Sequence, residues 1–155
     1  TGIETVEIAE ILETRIERWR ALSEAHDIQM VTDVPAGVWV RAPAGGLGSI
    51  LDELVSNALR LSGGTRVEMR VESGDPVELR VLDNGNGLPE DQREAATNRF
   101  WRSPQHQNTE GTGLGLAIVA DLLRDAGGRL VLEDGLVEDG RPGFGVVVEL
   151  PSTGP

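Results

Sequence analysis

The sequence predicts a two-layer α/β sandwich: a mixed, mostly antiparallel sheet covered by helices on one face. Three observations carry that prediction. Two early stretches place apolar residues at three- and four-residue steps, a central hairpin alternates strictly between apolar and charged residues, and a late apolar helix leads into two further strands. With 155 residues and 39% hydrophobic content, the chain can bury one proper core. A single domain over residues 1–155 is expected, with its core at about residues 5–151.

Between Ile8 and Ala25, the residues Ile8, Ile11, Leu12, Ile16, Trp19 and Leu22 recur at helical spacing, with Glu and Arg between them, and predict one amphipathic helix. Ile28 to Val31 and Val38 to Val40 read as short strands around the turn Pro35-Ala36-Gly37, and Gly45 to Ser62 as the second helix. The hairpin follows. Val67, Met69, Val71, Val77, Leu79 and Val81 alternate with Glu68, Arg70, Glu72, Glu78 and Arg80, so one face of the sheet is expected to be buried and the other wet. Leu88 to Gly111 is polar and irregular apart from Phe100-Trp101, and reads as a mobile segment. A helix from Leu114 to Ala126 is stopped by Gly127-Gly128, and strands at Leu130 to Glu133 and Gly145 to Leu150 close the domain before Pro151.

Composition narrows the function. The chain has no cysteine, which excludes a disulfide framework and Cys-based metal sites, and its apolar runs are too short to cross a bilayer. No signal peptide heads the sequence, so a soluble, cytoplasmic domain without direct membrane contact is expected. A net charge of −12 opposes a polyphosphate backbone, making nucleic acid an unexpected partner. All 14 basic side chains are Arg, so a lysine-dependent P-loop is excluded, and a phosphate-contacting cation has to be Arg, His or a metal.

The chemistry gathers at three places. Projected at about 100° per residue, residues 47–61 put Leu47, Ile50, Leu51, Leu54, Ala58 and Leu61 on one flank and Glu53, Ser56, Asn57 and Arg60 on the other. A carboxylate, an amide oxygen and a guanidinium at these steps can address magnesium and phosphate together. A solvated helix face with an ordinary ion pair gives the same pattern. Asp83-Asn84-Gly85-Asn86-Gly87 leaves a strand, so Asp83 can meet a ligand edge-on and accept from an exocyclic amine such as adenine's; a plain strand-exit turn remains open. A calcium loop does not fit, because Leu88 stands where the EF-hand pattern needs glycine. Gly111-Thr112-Gly113-Leu114-Gly115 opens into the late helix, where free N–H groups and the dipole favour phosphate; its spacing is not that of a dinucleotide fingerprint.

These motifs, in this order, resemble the ATP-binding superfamily that joins gyrase, MutL, the heat-shock chaperone ATPases and bacterial sensor histidine kinases. Glu53-Leu54-Val55-Ser56-Asn57-Ala58 is similar to the N box, Asp83 to Gly87 to the G1 box, Arg99-Phe100-Trp101-Arg102 to the F box, and Gly111 to Leu116 to the G2 box. The F box, the short segment before G2 and the ending Gly143 to Pro151 resemble the catalytic domain of a two-component histidine kinase. The resemblance implies a Bergerat-type fold with ATP and Mg2+ as cofactors. Asp83 then meets the adenine amine, with Gly85, Gly87 and Phe100 also at the nucleotide. Asn57 holds the metal, Arg60 contacts phosphate, Glu53 joins them in catalysis, and Gly111, Thr112, Gly113, Leu114 and Gly115 flank the triphosphate under a mobile lid.

It also implies the partners. They are a separate phosphoacceptor and dimerisation domain of the same kinase, absent here, and the receiver domain of a response regulator. The isolated domain is expected to be a monomer within a homodimeric, membrane-anchored kinase. Glu53 stands where many histidine kinases carry Asn or His, and Leu61 where an aromatic or His often follows. Glu at that position is familiar from hydrolysing members and from anti-sigma-factor serine kinases, so a serine kinase of the same fold and an ATP-sensing module without transfer stay open. His26, at a helix end, and His106, in the polar segment, are read as ordinary surface histidines rather than acceptors.

Overall fold

The alternation of the central hairpin sets the sheet. In the computed structural model, which describes residues 2–87, 91 and 114–155, the hairpin consists of strands β4 (Arg66–Glu72) and β5 (Val77–Asp83). Around it run β2 (Gln29–Asp33), β3 (Trp39–Pro43), β6 (Arg129–Glu138) and β7 (Arg141–Leu150). The main sheet has the order β2-β4-β5-β7-β6; β2 pairs with β4 in parallel and the other neighbours are antiparallel. Val67, Met69, Val71, Val77, Leu79 and Val81 are buried, as the period of two requires.

The opposite face carries charge. Glu68 meets Arg66 and Arg70, and Arg80 meets Glu72, Glu78 and Glu133. Burial works against the Arg80 charge, yet these glutamates outweigh it and raise its pKa. Four helices among the described residues are α1 (Ile8–Glu13), α2 (Ile16–Ala25), α3 (Leu47–Leu61) and α4 (Leu114–Asp125), and their apolar faces join the core. This is the expected mixed, mostly antiparallel two-layer fold.

The single helix expected from Ile8 to Ala25 is two. The Thr14 hydroxyl donates back to the Ile11 carbonyl (2.8 Å), and Arg15 leaves helical geometry at φ −121° before α2 restarts. A local side-chain bond of that kind competes with the helix ladder. The break turns Arg15 onto α3, where its Nε donates to Asp52 Oδ2 (3.0 Å); Trp19 Nε1 reaches Asp52 Oδ1 (2.8 Å) and Arg18 meets Oδ2 (3.2 Å). Gly48 makes room for this, since a Cβ there would overlap the Arg15 guanidinium.

On α3 the buried set is Leu47, Ile50, Leu51, Leu54, Val55, Ala58 and Leu59; Leu61, expected among them, is half-buried because the helix ends there. The stop at Gly127-Gly128 is present: Gly127 has φ +81° and the Gly128 N–H returns to the Leu123 carbonyl (2.7 Å). The last two strands run longer than expected, as one hairpin with a register shift between Asp134 and Val137. Two strands outside the sequence expectation, β1 (Ile3–Glu7) and β8 (Ser152–Thr153), pair with β3 in a small second sheet.

Asp52→Ala should lower stability by about 1–3 kcal/mol, because it strands the indole N–H of a Trp19 that is only 1% exposed. Arg18→Ala should change it by under about 1 kcal/mol, its side chain being largely in water. Urea unfolding of both variants checks the pair; equal losses would refute the ranking.

Candidate functional site

Asp83 is the last residue of β5 and, with Ser23, one of two buried polar residues among the described residues, at 3% exposure. Its Oδ1 accepts from the backbone N–H of Gly85 (2.9 Å) and of Phe144 (3.1 Å). Burial pushes its carboxyl above the ordinary aspartate range, against the pull of those two donors. A carboxylate held in place at such cost is a site candidate on physical grounds.

The turn after Asp83 is fixed by its side chains and by its glycines. Asn84 Oδ1 accepts from the N–H groups of Thr65 (2.8 Å) and Arg66 (2.9 Å), while Nδ2 donates to Thr65 Oγ1 and Glu138 Oε2, both at 3.0 Å. Gly85 packs against the end of α3, where a Cβ would run into the Ser62 carbonyl oxygen; the Asn86 N–H donates to that same oxygen (2.8 Å). Gly87 has φ +73°, a left-handed conformation suited to glycine. Across the turn, Gly135 and Gly143 let the β6–β7 hairpin close on Asp83, because a Cβ on either would meet its backbone oxygen.

The polar stripe of α3 lies where its period places it. Glu53, Ser56 and Asn57 are half-buried and Arg60 is exposed, without an ion-pair partner among the described residues. Asn57 Nδ2 is 3.5 Å from Glu53 Oε1, and Glu53 rests against Gly115 in the first turn of α4. The fold therefore brings Glu53, Asn57 and Gly115 together, and seats Gly85 on the far end of the same helix. Leu114 starts α4. Phe100, Gly111, Thr112 and Gly113, with all of the expected mobile segment but Asp91, lie outside the described residues.

Glu53 also lines a groove of about 340 Å³ between α2 and α3, with Trp19, Leu22, Ser49 and Asp52. Among the described residues no three His, Cys, Asp or Glu side chains are grouped to hold a metal by themselves. Glu53 and Asn57 bring a carboxylate and an amide to one place on α3, and magnesium is an ion that takes one or two protein oxygens and completes its shell with phosphate and water. Gly135 and Glu138 are missed by sequence reasoning, while Asn84, Gly143 and Phe144 fall inside motifs it singles out but receive no role of their own there. The spacing Gly143-Phe144-Gly145 within an apolar strand is the one signal that marks a close backbone approach there.

Residues 43–154 match the family model described as histidine kinase-, DNA gyrase B-, and HSP90-like ATPase. The signal transduction histidine-protein kinase/phosphatase MprB of Mycobacterium sp. (strain KMS) is 38% identical over 151 residues, covering 96% of this chain and 29% of that protein. The chain thus spans under a third of the length of such relatives. Among solved structures, a mycobacterial sensor histidine kinase MprB is similar at a TM-score of 0.82 and 29% identity, over 99% of this chain and 100% of that one. The ATP-binding domain of PrrB from Mycobacterium tuberculosis is similar at 0.69 and 26%, over 99% of each.

Asp83→Asn isolates the burial cost, because an amide oxygen can still accept both N–H bonds. The folded pKa of Asp83 lies above the unfolded one, so its contribution favours folding in acid and is lost as pH rises from the ordinary aspartate value through the folded one. The stability of Asp83→Asn relative to the parent should therefore climb over that window. Denaturant unfolding at a series of pH values checks the slope, and a fall in its place would contradict the assignment.

Proposed function

The chain belongs to the histidine kinase-, DNA gyrase B-, and HSP90-like ATPase family, and from that premise we propose that it is the catalytic domain of a two-component sensor histidine kinase, binding Mg-ATP and giving the γ-phosphoryl group to a histidine on a separate domain. The observation that carries this reading is Asp83: a desolvated carboxylate, braced by two backbone donors at a strand end, has the chemistry to receive the adenine amine. Burial away from water makes a charge-assisted bond there stronger than it would be in water.

Asn57, with Glu53 one turn away, would hold magnesium, which supplies charge neutralisation for the phosphates. Arg60, exposed at the end of the stripe, is free to fork onto phosphate oxygens, and the start of α4 offers backbone N–H groups to the same anion. In the transfer, a ring nitrogen of the acceptor histidine attacks the γ-phosphorus as the bond to the β–γ bridging oxygen breaks, and ADP leaves. Little covalent chemistry falls to the protein, so positioning and electrostatics are this domain's share.

In this reading residues 1–155 form one catalytic unit that acts on the dimerisation and phosphoacceptor domain of its own kinase, and the phosphoryl group passes on to a response regulator. The unit is monomeric alone, dimeric in the full kinase, and faces the cytoplasm. Its net charge of −12 supports the absence of nucleic acid among its partners.

Calorimetry with ATP and with ADP, with and without magnesium, is the test. Asp83→Asn should weaken binding about tenfold to a hundredfold, from the loss of a charged hydrogen bond of about 1.5–3 kcal/mol. Unchanged affinity in a folded variant would remove the adenine assignment. The isolated chain should not label itself, and should label a supplied His-bearing helical hairpin in trans. Acid-labile label on the isolated chain, or label only on a Ser-bearing acceptor, would overturn the histidine kinase reading.

A further inference from the structure

Gly115 occupies the second position of α4, in a helical segment where its φ is not in the left-handed region. Its backbone does not call for glycine, and alanine would be the better helix former there. What the position lacks is space. A Cβ on Gly115 would overlap Glu53 Oε1 and lie 2.7 Å from Glu53 Cδ and 3.0 Å from Cγ. Three successive atoms of the side chain are involved, so rotating the carboxylate alone does not clear the clash.

The same Oε1 lies 3.5 Å from Asn57 Nδ2, so Glu53 is held between α4 and its neighbour on α3. The groove between α2 and α3, which Glu53 also lines, is where a displaced carboxylate would find room. Asp52, the residue before Glu53, is anchored by Trp19 and Arg15, which keeps α3 from rolling to absorb the strain.

We propose that Gly115 is a positioning residue: its missing side chain is the space that keeps the Glu53 carboxylate over the first turn of α4 and beside Asn57. The inference rests on the nucleotide-site reading and adds a constraint to it, because the acid faces the phosphate end only while position 115 has no side chain. Adenine recognition at Asp83 lies at the other end of α3 and does not depend on it.

The test uses Gly115→Ala, Glu53→Asp and the double variant in the full kinase for transfer, and in this chain for binding and spectroscopy. Gly115→Ala should move the carboxyl carbon NMR signal of Glu53 while leaving that of Asp83 in place. It should lower single-turnover transfer about tenfold to a hundredfold, the cost of a misplaced group. In the Glu53→Asp background, whose acid is one methylene shorter, the same alanine should cost far less, since neighbours in contact are not additive. An unmoved Glu53 signal, or an equal cost in both backgrounds, would overturn the proposal. Failure of the parent chain to bind nucleotide would instead sink the site reading, and the carboxyl signal would still decide the positioning claim.

Discussion

One buried carboxylate fixes the geometry on which the rest of the site depends. Asp83 ends β5 with little contact with water, and taking a carboxylate out of water costs several kcal/mol. Two N–H bonds to a charged acceptor return about 1.5–3 kcal/mol each at best. Burial still wins, which is why the carboxyl titrates above its ordinary range. The elements around it are shaped to this group. Gly85 seats the following turn on the end of α3, Gly135 and Gly143 let the β6–β7 hairpin close on the Asp83 backbone, and Asn84 ties the turn to Thr65, Arg66 and Glu138.

A second brace works through the neighbouring acids Asp52 and Glu53. Successive residues on a helix point about 100° apart, so the two carboxylates serve different neighbours. Asp52 gathers Trp19, Arg15 and Arg18 and joins α2 to α3, with Gly48 leaving space for Arg15. Glu53 turns to α4 and Asn57. Asp52 thus holds the helix that presents Glu53, and the break between α1 and α2 is what brings Arg15 into reach.

Legibility follows how local each signal is. The β4–β5 hairpin, the α3 stripe and the stop of α4 are written in short-range periodicity and in glycine placement, and the structure contains them as read. The break at Thr14-Arg15 is hidden because its apolar residues keep helical spacing across it, while its cause is a hydroxyl turned back on the chain. β1 is hidden because a strand in a small sheet with an exposed Ile3 has no clean alternation. The extension of β6 and β7 runs through acidic and Gly-rich sequence that reads as a loop, and its pairing includes a register shift. Candidate residues close in sequence, such as Glu53 and Asn57, are placed on one helix face by their spacing, and the structure has them side by side. Phe144 and Glu138 reach Asp83 and Asn84 from more than 50 residues away, and only the fold reveals them.

Adenine recognition by Asp83 is tested most directly by comparing ATP with inosine triphosphate, which carries a carbonyl where adenine carries its exocyclic amine. With the amine donating to the buried carboxylate, ATP should bind at least about tenfold more tightly, because the carbonyl would leave Asp83 facing another acceptor. Equal affinities measured by calorimetry at the same magnesium concentration would contradict that assignment and leave Asp83 as a brace of the fold alone.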